Sequence, residues 1–122
     1  MSTVAKYDVV SDEQVLLNEG EAHDFPLETP GIRPGIRSLV SFMFASVSIS
    51  KSVVFRMLIA NSKGIHEIGT RLDGPWPVGT HCVLQSVIDA GILQTSGNTL
   101  RIEVTKGDGI FSDIMLWYHT EV

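Results

Sequence analysis

Thr99-Leu100-Arg101-Ile102-Glu103-Val104-Thr105 alternates without a fault: Leu100, Ile102 and Val104 fall on one side, Arg101 and Glu103 on the other. Successive side chains of a strand point to opposite faces, so this segment reads as a strand with one buried and one wet face. Lys106-Gly107-Asp108-Gly109 follows and carries turn residues, which predicts a hairpin. Its second arm would run from Ile110 to Val122. There Ile114, Leu116 and Tyr118 share one face, and Asp113, Met115, Trp117 and His119 share the other.

Strand signals continue upstream. Val53-Val54-Phe55-Arg56-Met57-Leu58-Ile59-Ala60 is almost continuously apolar, as a central strand covered on both faces should be. Asn61-Ser62-Lys63-Gly64 is a turn signal, and Ile65 to Leu72 reads as the returning strand. His81 to Asp89 is another strand. Apolar residues stand at Val40, Phe42 and Phe44, then at Ala45, Val47 and Ile49, and this change of parity predicts a bulge or bend near residue 45. Val15-Leu16-Leu17 and His23 to Leu27 are short strand candidates, and Pro30 to Arg37 is an extended loop. No segment carries a long helical period with caps. Short strands with a turn signal roughly every ten residues predict an all-β, two-sheet antiparallel sandwich of jelly-roll type.

The chain has 122 residues, 43% hydrophobic and 19% charged, which suits one folded domain over residues 1–122. The charge is uneven. Residues 1–28 hold seven acids against Lys6, a net −6, and the remaining 94 hold seven acids and eight bases, a net +1. The first 28 residues are therefore an acidic N-terminal arm, solvated or docked, or a set of edge strands. A body so close to neutral lacks the basic stripe that drives nucleic-acid binding. The sequence has no apolar run of membrane-spanning length and no signal-like core near Met1, so a cytoplasmic protein without membrane contact is expected. One cysteine, Cys82, sits in an apolar run and reads as a buried small hydrophobe. The four histidines have no metal-site spacing, so neither a metal nor another cofactor is expected.

The stretch Ser86-Val87-Ile88-Asp89-Ala90-Gly91-Ile92-Leu93-Gln94-Thr95-Ser96-Gly97-Asn98-Thr99-Leu100-Arg101-Ile102-Glu103-Val104 resembles galactose-binding-like jelly rolls. In these a strand ends in small residues and a leucine pair, then a glycine-asparagine turn leads into an alternating strand. The final strand, Phe111 to Tyr118, is similar to their closing strand. Non-catalytic sandwich domains of glycoside hydrolases and of rhamnogalacturonan lyases look like this. The resemblance spans roughly residues 86–118. It implies a jelly roll and a carbohydrate ligand.

Two places could carry function. Trp76 lies between Pro75 and Pro77 in the loop Leu72 to Gly79, a setting that would hold its ring rigidly for stacking on a sugar. Arg71, Asp73 and His81 flank it and could bond hydroxyl groups, or equally pair with one another. The second place is the stripe Met115, Trp117 and His119, which marks an interface if exposed and a second core if covered. Arg33 and Arg37 belong with it as contacts for a neighbour's acidic arm. No nucleophile motif, carboxylate pair or phosphate loop is present. The expected function is a non-catalytic, lectin-like carbohydrate-binding module acting as a homo-oligomer. A self-associating assembly protein is the alternative, and a small β-sandwich enzyme the third reading.

Overall fold

We describe a computed structural model, covering residues 3–47, 52–73 and 82–121. Its strands are β1 (Thr3–Ser11), β2 (Val15–Leu17), β3 (Ala22–Leu27), β4 (Ser38–Ser46), β5 (Val53–Asn61), β6 (Gly64–Asp73), β7 (Cys82–Ile88), β8 (Asn98–Lys106) and β9 (Gly109–Glu121). They form two antiparallel sheets. The first has the order β1-β9-β4-β7, with β2 continuing the line of β1 along β9. The second has the order β3-β8-β5-β6. This is the all-β jelly-roll sandwich that the strand pattern predicts.

Alternation decides what lies between the sheets. Val40, Phe42 and Phe44 of β4 and Leu116 and Tyr118 of β9 point inward from the first sheet. Phe55, Met57 and Ile59 of β5 and Leu100, Ile102 and Val104 of β8 meet them from the second. Phe55 is the ring that joins the layers: its centroid lies 5.0 Å from Phe111, 5.2 Å from Phe44 and 6.0 Å from Phe42. Edge-to-face and offset pairs of this kind add to the burial of the rings themselves. Cys82 is half-buried, packs against this core and points its thiol at the Phe44 carbonyl, 3.7 Å away.

Three local expectations are corrected. First, Lys106 to Gly109 does not close a hairpin. β8 pairs with β3 and β5, while β9 pairs with β1, β2 and β4, so the turn carries the chain from one sheet to the other. Its glycines serve close packing at that corner. A side chain on Gly107 (φ +76°) would meet the Ser52 carbonyl oxygen at 2.5 Å, and one on Gly109 would meet the Phe44 ring at 2.8 Å. Second, no bulge lies at residue 45: β4 keeps one register with β9 from Met43 to Ser46, where it ends, and the pairing shifts earlier, between Ser41 and Met43. Third, of the two readings of the acidic N-terminal segment, the solvated arm gives way: residues 3–27 contribute β1, β2 and β3, and β1 and β3 lie at the edges of the two sheets. Glu19 pins the corner, its backbone N–H donating to Asp108 (3.0 Å) and its carboxylate accepting from Gly107 N–H (3.1 Å).

The Gly97-Asn98 pair has a structural role. Asn98 is buried, and its Nδ2 donates to the Gln94 carbonyl at 2.7 Å. Its Oδ1 accepts from Gln94 N–H at 2.9 Å and from Asn61 Nδ2 at 3.1 Å. One side chain thus ties the loop before β8 to the β5–β6 hairpin, while Gly97 (φ +74°) makes the sharp entry that a Cβ would strain. Asn98→Ala is expected to lower stability by about 3 kcal/mol, because it orphans several buried donors and acceptors at once. Gly107→Ala should cost roughly 2 kcal/mol or more through its left-handed φ and its carbonyl contact. Urea denaturation of both variants checks these values.

Candidate functional site

β9 sets the site, because it lies between β1 and β4 and buries one face only. After Phe111 its inward parity changes. On β4 the pairs at Ser41 and Met43 are two residues apart, while their partners Met115 and Ser112 on β9 are three apart, so β9 bulges. The extra residue is Asp113, exposed and with φ +49°. Aspartate adopts that left-handed conformation more readily than most residues, which removes the difficulty of a carboxylate in a core. The bulge turns Ile114, Leu116 and Tyr118 inward, and Met115, Trp117 and His119 onto the outer face of the first sheet.

Pairing assembles a row across that face. Tyr7 stands beside Trp117, Trp117 beside Leu39 and Leu39 beside Val87. Val9, Met115, Ser41 and Gln85 form the next row, and Met43 and Val83 lie beyond. The Tyr7 and Trp117 rings are 4.9 Å apart and tilted by 36°. Trp117 is 39% exposed, Tyr7 56% and Val83 65%, so this surface is wet among the described residues. The Trp117 indole N–H points at Ser41 Oγ, 3.4 Å away. At one end the surface sinks into a depression of about 360 Å³ lined by Arg37, Leu39, Val87, Trp117 and His119 among others. His119 is partly buried, and its Nδ1 lacks a hydrogen-bond partner. The Arg33 backbone N–H donates to the His119 carbonyl at 2.8 Å, which fixes the preceding loop against the end of β9.

The outer face of the second sheet is of another kind. Arg56 and Arg101 both bond Glu103 (2.6 and 2.8 Å), and Arg101 also approaches Asp24 at 3.6 Å. The Arg56 hydrogen bond, above all, holds the Glu103 carboxyl below its ordinary value. Two cations and two carboxylates satisfy one another there, so that face is a solvated ion ladder.

Of the residues singled out in the sequence, Arg37, Trp117 and His119 line one depression, Met115 stands in the next row of the same sheet, and Arg33 meets the end of β9 through its backbone. Trp76 and His81 lie outside the described residues. Arg71 and Asp73 are placed as backbone at the end of β6, opposite Phe55 and Val53. Sequence reasoning missed Tyr7, Leu39 and Val87, which join the surface only through cross-strand pairing. Among the described residues no group of three potential ligands could hold a metal ion, and no helix is long and apolar enough to cross a membrane.

A third place tests for reactive chemistry. A cleft of about 310 Å³ between the sheet edges is lined by Asp8, Val10, Leu27, Glu28 and Leu116. Tyr118 donates its hydroxyl to Asp8 at 3.2 Å beside it. Burial first, and the Asp8 charge second, push the Tyr118 phenol up from 10.0 to about 12. A phenol held so firmly neutral is a structural donor and no base.

Solved structures give the fold a context. No protein-family model and no curated protein matches the sequence. The chain is similar to the xylan-binding module CBM15, at 9% identity and a TM-score of 0.62, covering 96% of this chain and 97% of that one. It is also similar to the N-terminal CBM22-1-GH10 modules of Clostridium thermocellum xylanase 10B, solved with xylohexaose, at 13% identity and a TM-score of 0.51. That match covers 92% of this chain but only 26% of the xylanase structure. The fold is a jelly-roll β-sandwich, as in these xylan-binding modules. The same architecture occurs in the Eiger TNF from S. frugiperda, at 9% identity and a TM-score of 0.50, covering 98% of this chain and 93% of that one, so architecture alone does not fix function.

Because Tyr118 is neutral when folded, its contribution to stability is complete below pH 10 and is lost as pH rises from about 10 to about 12. Ultraviolet titration should find one tyrosine ionising near the upper value. Asp8→Asn should lower that value by removing the neighbouring charge, while the part due to burial persists.

Proposed function

We propose that this protein is a non-catalytic carbohydrate-binding module whose ligand lies across the outer face of the first sheet. The carrying observation is the exposed Tyr7–Trp117 pair on a broad apolar sheet face. An aromatic ring offers a sugar a flat apolar face and keeps its polar edge for water. Ser41, Gln85 and Arg37 stand around the rings as hydrogen-bonding groups for hydroxyls. The proteins of similar fold whose names state xylan binding, or whose structures hold xylohexaose, support this reading.

The segment carrying Trp76 is a second contributor in this proposal. β6 ends and β7 begins at edges of the two sheets, and β7 enters with Cys82 opposite Phe44 and Val83 opposite Met43. Arg71, Trp76, Asp73 and His81 would extend the surface from that side. Multivalency in a homo-oligomer would offset weak single-site affinity.

Self-association through this same face is the second reading. Tyr7, Val9, Val83 and Val87 are large exposed hydrophobics around Trp117, and such contiguous patches also mark protein interfaces.

A glycan array separates the two. Wild-type protein is expected to bind β-linked polysaccharides, and Trp117→Ala should weaken binding at least tenfold, a loss of about 1.4 kcal/mol. Tyr7→Ala should weaken it less, and Met43→Ala hardly at all. Light scattering runs alongside. A dimer that Trp117→Ala dissociates, with no glycan bound by the wild type, would replace the carbohydrate reading by the second one.

A further inference from the structure

We infer that the sugar bound on the first sheet carries an anionic group, which Arg37 receives at the end of the Trp117 platform. This rests on the carbohydrate reading above and names the class of ligand.

The inference begins from an imbalance between the two outer faces. On the second sheet Arg56 and Arg101 each have a carboxylate partner within 4 Å. On the first sheet Arg37 is exposed and makes no ion pair among the described residues. The pairing of Leu39 with Trp117 brings Arg37 level with His119, and both residues line the depression beside the indole. No acid lines that depression. Asp89, the carboxylate nearest in register, stands exposed beyond the end of β7 and does not engage the guanidinium.

The protein's net charge of −5 does not oppose this placement. Of the acids that create it, Asp8 bonds Tyr118 from the inward side of β1, Asp24 belongs to the ion ladder, and Glu19 is spent on the corner at Gly107. The platform therefore meets the ligand with an apolar floor and an uncompensated cation at its rim. A guanidinium presents its donors in a planar fork that matches a carboxylate better than a hydroxyl. A uronic-acid residue stacked on Trp117 would set its carboxylate toward Arg37, and a sugar sulfate offers the same chemistry.

The test uses ligand pairs of which one member carries the acidic group and the other does not. Polygalacturonate is compared with its methyl ester, glucuronoxylan with unsubstituted xylan, and a sulfated galactan with its desulfated form, each by titration calorimetry. In at least one pair the acidic member should bind roughly tenfold tighter, as expected for hydrogen bonds to a charged group. Arg37→Gln should abolish that preference, so that the two members of the pair bind alike. Added salt should weaken the acidic ligand more than the neutral one. The pair that responds tells carboxylate from sulfate. Equal affinity within every pair, or a preference that survives Arg37→Gln, would overturn the inference while Trp117-dependent binding still stood. Absence of binding to every ligand would remove it together with the carbohydrate reading.

Discussion

A strand that changes the face it buries governs this molecule. β9 is paired on both sides, so its inward set must match the core at each level. Phe111 points in, and so do Ile114, Leu116 and Tyr118, although strict alternation would place one of these groups outside. The extra residue, Asp113, resolves the conflict by bulging outward with a positive φ. Below the bulge β9 closes the Phe42–Phe44–Phe55–Phe111 cluster. Above it the strand directs Met115, Trp117 and His119 to solvent. Core packing and surface chemistry are two consequences of one backbone irregularity.

That coupling explains why the two sheets differ outside while they agree inside. Both inner faces are apolar because each has the other to bury. The outer face of the second sheet is a wet ladder of charges of modest energetic value, and its arginines already have carboxylate partners. The outer face of the first sheet keeps large apolar side chains in water. Hydrophobic burial favours covering them.

The fold was legible because β8, β5 and the hairpin between β5 and β6 carry unbroken local patterns. Leu100, Ile102 and Val104 announce their burial by spacing alone, and Asn61 to Gly64 announces its turn. Connection between sheets was not legible. Lys106 to Gly109 has the composition of a hairpin turn, and only the approach of Ser52 and Phe44 shows why glycines stand there. The site was half legible. Met115, Trp117 and His119 share a face by parity, but Tyr7 lies 110 residues from Trp117 in sequence, and no local signal joins them. Arg37 was visible as a cation; its place at the rim of an aromatic surface comes from register.

Fluorescence of the Trp76→Phe variant reads Trp117 as the sole remaining indole. If a sugar stacks on the first sheet, titration with xylo- and galacturono-oligosaccharides should shift that emission to shorter wavelength and saturate. Saturable binding by calorimetry with no change in the Trp117 emission would place the ligand elsewhere and contradict the assignment of this face.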